Sequence, residues 1–190
     1  RSPGANLVDL DGDGAPDLVV TADASRLIKQ TTVYWNKAGY FSDSDKTLLS
    51  ESAMFEGNHL DMDAQAIDVN GDGKQDVVLV GTQSSPYYEG WFVQILINQG
   101  GRTFLDETAT RLPPNAMSMG TSVANTTPWP MWIRILDFNG DGFPDFSVEL
   151  NGPGTRKQTQ PLIWLSDGSG HFSTLTIGDF VNTGQEWQLG

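Results

Sequence analysis

The 190-residue chain predicts an all-β fold of three four-stranded antiparallel units in series, and three observations carry that reading. A nine-residue acidic loop recurs three times, β-branched or aromatic runs flank each copy, and a Gly/Asn turn followed by Phe recurs downstream of each. No helical periodicity of useful length interrupts the pattern, and no linker splits the chain into separate folds.

The loops are Asp9-Leu-Asp-Gly-Asp-Gly-Ala-Pro-Asp17, Asp68-Val-Asn-Gly-Asp-Gly-Lys-Gln-Asp76 and Asp137-Phe-Asn-Gly-Asp-Gly-Phe-Pro-Asp145. A hard divalent cation such as Ca²⁺ takes six to eight oxygens, which a short loop supplies by curling around it. Positions 1, 3, 5 and 9 offer side chains and position 7 a backbone carbonyl. The expected ligands are Asp9, Asp11, Asp13, Asp17 and the Ala15 carbonyl in the first loop. In the second they are Asp68, Asn70, Asp72, Asp76 and the Lys74 carbonyl; in the third, Asp137, Asn139, Asp141, Asp145 and the Phe143 carbonyl. Three Ca²⁺ sites are therefore expected. Mg²⁺ fits worse, because it gives up its waters reluctantly.

An EF-hand shares these nine positions but needs a bidentate Glu at position 12 between two helices. Here position 12 is Val20, Leu79 or Val148, none of which binds a metal. The flanks Asp17-Leu-Val-Val-Thr21, Asp76-Val-Val-Leu-Val80 and Asp145-Phe-Ser-Val148 read as strands, so each loop joins two strands of a hairpin.

A third strand and the start of a fourth follow each loop. Val33-Tyr-Trp-Asn36 precedes Phe41, Ile95-Leu-Ile-Asn98 precedes Phe104, and Ile163-Trp-Leu-Ser166 precedes Phe172. The fourth strand is expected to open at those three Phe residues. Four-stranded antiparallel units in series suggest blades of a β-propeller. Approximate units run 1–62, 63–131 and 132–190 within one repeat array, the strand at Gln185 to Gly190 belonging to a following blade. Stretches Arg111 to Pro130 and Gly152 to Gln160 read as long inter-strand loops.

With these residues in view, the chain resembles the FG-GAP (VCBS-type) repeat of integrin-α-like β-propellers over nearly its whole length. The resemblance implies that the acidic loop joins the first two strands of a blade and binds Ca²⁺. It also implies a binding module for carbohydrate or protein, as in adhesion and lectin propellers. Such propellers have about seven blades and this chain has three, so it is expected to be part of a larger propeller. The remaining blades would come from the same longer chain or from another subunit. The alternative is the propeller portion of a larger secreted enzyme such as a polysaccharide lyase or phospholipase.

A formal charge of −13 argues against nucleic acid as a partner. Much of that acidity sits in the loops, so it is a metal signature rather than a disordered tail. No cysteine is present, which excludes disulfides and thiolate sites. Calcium sites of this kind suit a calcium-rich setting, so the expected location is extracellular or secreted, with periplasm or cell surface also open. No apolar run approaches the roughly 20 residues of a membrane helix, and no membrane insertion is expected. The chain begins with Arg1 and carries no signal peptide, the pattern of a processed chain or fragment. The sequon Asn125-Thr126-Thr127 is read as a chance match, since Pro128 follows it.

The sequence nominates no catalytic residue. His171 reads as a turn residue; His59, near Asp61 and Asp63, reads as part of a solvated loop, with acid/base chemistry as the alternative. Glu51, Glu56, Glu89, Glu107 and Glu149 are unassigned carboxylates with no evident pairing. Trp35 and Trp164 read as equivalent strand-three positions beside Leu96, which points to packing between blades. Trp129, Trp132, Trp91, Tyr87 and Tyr88 are placed nearer loops, as blade-edge packing before sugar stacking.

Overall fold

In the computed structural model, which describes residues 4–22, 28–55, 57–85, 89–119, 128–152, 161–176 and 178–179, each acidic loop closes a β-hairpin. The strands β1 (Ala5–Val8) and β2 (Asp17–Val20) pair with Val8 opposite Asp17. The same register recurs at Ile67 opposite Asp76, between β5 (His59–Ile67) and β6 (Asp76–Gln83). It recurs again at Leu136 opposite Asp145, between β10 (Trp129–Leu136) and β11 (Asp145–Asn151). β-Branched residues are concentrated in β2 and β6, where a pleated surface accommodates them well.

Each hairpin extends into a four-stranded antiparallel sheet. Blade one adds β3 (Thr32–Tyr34) and β4 (Lys46–Leu48); blade two adds β7 (Glu89–Gly100) and β8 (Thr103–Asp106); blade three adds β12 (Pro161–Ser166) and β13 (Phe172–Thr176). The fold is all-β and built of three such blades.

Two expectations about segment boundaries change. Phe104 lies in β8 and Phe172 opens β13, but Phe41 precedes β4 by five positions and is exposed. Ala38 and Gly39 adopt left-handed backbone, Lys37 bridges Tyr40, and a further turn from Ser42 to Asp45 delays the strand. The stretch after Arg111 is also more ordered than a loop. A turn of helix, α1 (Thr108–Arg111), leads to a 3-10 turn at Pro114–Ala116 and to β9 (Ser118–Met119), which pairs with β7. The sequon, Tyr87-Tyr88, Gly152 to Gln160 apart from Gly152 itself, and Gln185 to Gly190 lie outside the described residues.

The central blade explains the packing. Strand β6 is buried along nearly its whole length because alternate residues face different neighbours. Val77 and Leu79 pack toward blade one with Val19, Val33, Trp35 and Leu49; Val78 and Val80 pack toward blade three with Phe146, Val148 and Trp164. Phe146 and Trp164 stack with centroids 5.0 Å apart, and Trp164 meets Trp91 edge-on at 6.1 Å. The Trp164 indole N–H donates to the Ala116 carbonyl at 3.0 Å. Trp91 is thus a buried residue of β7, not a loop residue, and Trp129 and Trp132 lie on β10.

The outer faces differ from one another. On blade one, Leu18, Val20 and Tyr34 are half-buried and Leu7 and Leu48 are exposed. On blade three, the places held by Val78 and Val80 in blade two are taken by Ser147 and Glu149, opposite Arg134 and Trp132. Trp164→Ala is expected to cost about 3–5 kcal/mol, since it empties a filled aromatic site. Leu7→Ala on the outer face is expected to cost less than about 0.5 kcal/mol. Urea denaturation midpoints of the two variants check both values, and near-equal midpoints would contradict this packing.

Candidate metal centre

The three loops have one hydrogen-bond plan. At position 1, one carboxylate oxygen accepts the position-4 N–H and the other the position-6 N–H: Asp9 takes Gly12 at 2.8 Å and Gly14 at 2.9 Å. Asp68 takes Gly71 and Gly73, and Asp137 takes Gly140 and Gly142, at 2.7–2.9 Å. The side chain at position 3 (Asp11, Asn70, Asn139) accepts the position-5 N–H, and position 5 (Asp13, Asp72, Asp141) accepts the position-7 N–H. The backbone is wound inward, with the glycines at positions 4 and 6 all at φ between 73° and 90°. A Cβ on any of them would meet nothing within 4 Å. These glycines are therefore required by backbone conformation and not by space.

Position 9 holds the loop to the blade. Asp17 accepts the Leu10 N–H at 2.9 Å on one oxygen and the Asn36 N–H at 2.9 Å on the other. Asp76 does the same for Val69 and Asn98, and Asp145 for Phe138 and Ser166. All three are fully buried. Each couples the second residue of its loop to the end of strand three.

This clamp also fixes the correspondence between blades: Asn36, Asn98 and Ser166 are equivalent. Trp164 then matches Leu96 and Tyr34, whereas Trp35 matches Ile97, one position on. The reading of Trp35 and Trp164 as equivalents is thus corrected. The two rings lie in different cores, Trp35 between blades one and two and Trp164 between blades two and three.

In the first loop, one oxygen from each of Asp9, Asp11 and Asp17 lies within 4.8 Å of the others. Oxygens around one ion at about 2.3–2.6 Å can be at most about 5 Å apart, so this donor set fits a hard cation. Electrostatics agree with the geometry. Burial pushes the Asp17 carboxyl above its usual range; the N–H groups of Asn36 and Leu10 oppose that, and the charges of Asp11 and Asp13 add to it. Asp76 is raised in the same way, by burial first, against Asn98 and Val69 and with Asp72 and Asp68. A cation would relieve both. Between loops one and two lies an open crevice of about 410 Å³, lined by Asp9, Leu10 and Asp11 on one side and Lys74, Gln75 and Gly100 on the other.

Matches to the FG-GAP-like repeat family cover residues 9–79 and 68–148, each running from one acidic loop through the next and into the strand beyond it. The chain belongs to the FG-GAP-like repeat family. No curated protein and no solved structure matches it. In FG-GAP terms the two overlapping matches share residues 68–79, the second loop and the first part of β6.

Sequence reasoning missed one site in this FG-GAP array. His59 is not in a solvated loop: it opens β5, and its side chain is 4% exposed. Its Nδ1 is 2.7 Å from Asp61 Oδ1, and its Nε2 is 3.5 Å from Glu51 Oε2. The other Asp61 oxygen accepts the Thr31 hydroxyl, and Thr31 in turn accepts the Ala22 N–H at 3.1 Å. Glu51, Thr31 and Ala22 belong to blade one's side of the junction, so the network bridges blades. Phe92 supports the imidazole edge-on at 6.1 Å, and its own ring lies where a Cβ on residue 81 would be, 2.3 Å away, so only glycine fits there. The signal in the sequence was His59 and Asp61 at alternate positions, on one face of a strand.

Burial pushes the His59 imidazolium down, but the Asp61 hydrogen bond and charge, with Glu51 behind them, outweigh it and hold the pKa above its ordinary value. A raised folded-state pKa contributes stability that is fully present below the unfolded value of about 6.5 and is lost as pH rises through the folded value. Urea midpoints across pH 5 to 9 should fall through that window in the native chain, and His59→Gln should flatten this component. A second expectation concerns the clamp. Asp145→Ala should cost about 3 kcal/mol in chelator, where no ion contributes, because two buried N–H donors lose their acceptor. A midpoint unchanged in chelator would contradict the clamp.

Proposed function

We propose that the three loops are Ca²⁺ sites and that the array is a calcium-rigidified binding module working outside the cell, for a carbohydrate or protein ligand. The observation that supports the metal reading is one hydrogen-bonded loop plan built three times, with oxygens of Asp9, Asp11 and Asp17 within 4.8 Å of one another in the first loop and with Asp17 and Asp76 buried beside further carboxylates. Asp9, Asp11, Asp13 and Asp17 would hold the first ion, with the carbonyl of Ala15. The second and third would rest on Asp68, Asn70, Asp72, Asp76 and Lys74, and on Asp137, Asn139, Asp141, Asp145 and Phe143, the carbonyl serving at Lys74 and Phe143. The ion supplies charge neutralisation and so fixes each hairpin.

Carbohydrate is favoured by the outer face of blade three. Trp132 is 38% exposed there, its Nε1 donates to Glu149 Oε2 at 2.6 Å, and Arg134 lies 3.7 Å from the same oxygen. An exposed indole beside charged hydrogen-bonding groups suits the apolar face and hydroxyl rim of a sugar ring. The apolar outer face of blade one is of the kind that further blades cover, supplied by a longer chain or another subunit.

Calorimetric titration of calcium-stripped protein should count three Ca²⁺, and Asp9→Ala and Asp137→Ala should each remove one. At a hundredfold excess over Kd each ion adds about 2.7 kcal/mol, so chelator should lower the Tm substantially. A Tm indifferent to chelator would refute the structural role of the ion. On a glycan array, Trp132→Ala should abolish binding while leaving the calcium count at three; a variant that binds as well as the native chain would move the ligand site elsewhere.

A further inference from the structure

The first loop carries four carboxylates, Asp9, Asp11, Asp13 and Asp17, whereas the second and third carry three each, with Asn70 and Asn139 at position 3. The asparagines are self-sufficient. Their amide nitrogens donate to the position-5 carboxylate, Asn70 to Asp72 at 3.4 Å and Asn139 to Asp141 at 2.8 Å. Asp11 has no amide to offer, and its outer oxygen is bound instead by Arg102 of blade two, from Nε at 3.0 Å and Nη2 at 2.9 Å. With the guanidinium counted, the first loop carries the same net charge as the third, while the second is offset from within by Lys74, whose ammonium lies 2.6 Å from Asp72.

Arg102 is held for this contact. Its Nη1 donates to Asp45 at 2.8 Å, its guanidinium lies 4.9 Å above the Trp35 ring, and its carbonyl accepts the Thr47 hydroxyl at 2.9 Å. Asp11, Asp45, Trp35 and Thr47 all belong to blade one. Arg102 also adopts φ 64°, a left-handed backbone uncommon outside glycine, in a turn where Gly100 and Gly101 already stand. A strained conformation kept by a residue with a long charged side chain points to a role for that side chain.

We infer that Arg102 is a positioning residue for the first calcium site, orienting Asp11 from the neighbouring blade and so coupling ion binding to the docking of blade two on blade one. The inference rests on the calcium reading proposed above. Residues that hold a ligand from behind typically change metal affinity about 10- to 100-fold when removed. Coupling of this kind is reciprocal, so an ion in the first loop also tightens the junction.

The test is calorimetric titration of calcium-stripped protein with CaCl₂, on the native chain, Arg102→Met, Arg102→Lys and the double variant Asp11→Asn/Arg102→Met. In Arg102→Met one of three sites should weaken about tenfold and two should stay unchanged, as expected for loss of an orienting partner. In the double variant position 3 becomes an asparagine like Asn70 and Asn139, and the weakened site should recover to within about threefold of native, the non-additivity expected of a directly paired couple. Loss of packing alone gives no such recovery. Arg102→Lys keeps the charge without the fork and should fall between native and Met, which preserves the test if the Met variant does not fold. Three unchanged sites, a tighter first site, or a double variant as weak as Arg102→Met would overturn the inference while leaving the calcium reading intact. A native chain that takes up no calcium would overturn both.

Discussion

Everything in this fold hangs on the buried aspartate at position 9 of each loop. A carboxylate has two oxygens, and Asp17, Asp76 and Asp145 use both on backbone N–H groups, one 7 residues away and the other 19 to 22 residues away. One N–H comes from the loop and the other from the end of strand three. Hairpin and third strand are thereby locked at one relative height, which is what makes the three blades superimposable in register. The cost is a buried charge, and burial in a low-dielectric surrounding without full compensation is expensive. That cost ties the neighbouring carboxylates to the same argument as the strand pairing.

From this lock follows the division of labour among faces. Once strand two begins at a fixed point after position 9, its odd and even residues are committed to opposite neighbours. In blade two both sides are apolar, and β6 carries Val77, Val78, Leu79 and Val80 without a polar interruption. The central position of that blade is therefore written in four residues. Blades one and three each have one covered side, and their outer sides depart from the apolar pattern in opposite directions, toward Leu7 and Leu48 on one and toward Arg134 and Glu149 on the other.

The acidic loops were legible as turns joining strands, because left-handed glycines and carboxylates that accept backbone N–H groups constrain most of their positions. Strands flanking them were legible for the same reason: their start is pinned. Legibility falls with distance from the pin. Phe41 resembles Phe104 and Phe172 in sequence, yet a longer turn in blade one separates it from the strand, and turn length is not encoded in any one residue. Trp35 and Trp164 look alike, but they stand third in Val33-Tyr-Trp-Asn36 and second in Ile163-Trp-Leu-Ser166, and the N–H that each third strand gives to its aspartate fixes that one-position difference. His59 and Asp61 show alternation, but their burial depends on Thr31 and Glu51, which are distant in sequence and arrive through blade packing. The family match reaches residue 148 and stops before strands three and four of the last blade.

Where equivalent positions in the three blades hold unlike residues, the fold is not the reason for the choice. The clamp, the glycines and an aliphatic residue three positions after the clamp aspartate (Val20, Leu79, Val148) are repeated because each blade needs them. Arg102, at a position equivalent to Tyr40, and Glu149, equivalent to Val80 and Thr21, answer to something local. Arg102 answers to the extra charge at Asp11, and the structure displays both partners. Glu149 answers to Trp132, whose ring it orients through the indole N–H on a face that the blade plan would otherwise fill with aliphatic side chains. A repeat protein can change such residues one at a time, because the clamp keeps the blade's register whatever its outer face carries. The departures from repetition are thus the places where this chain's own chemistry is written, and on blade three they gather on a surface that no described residue covers.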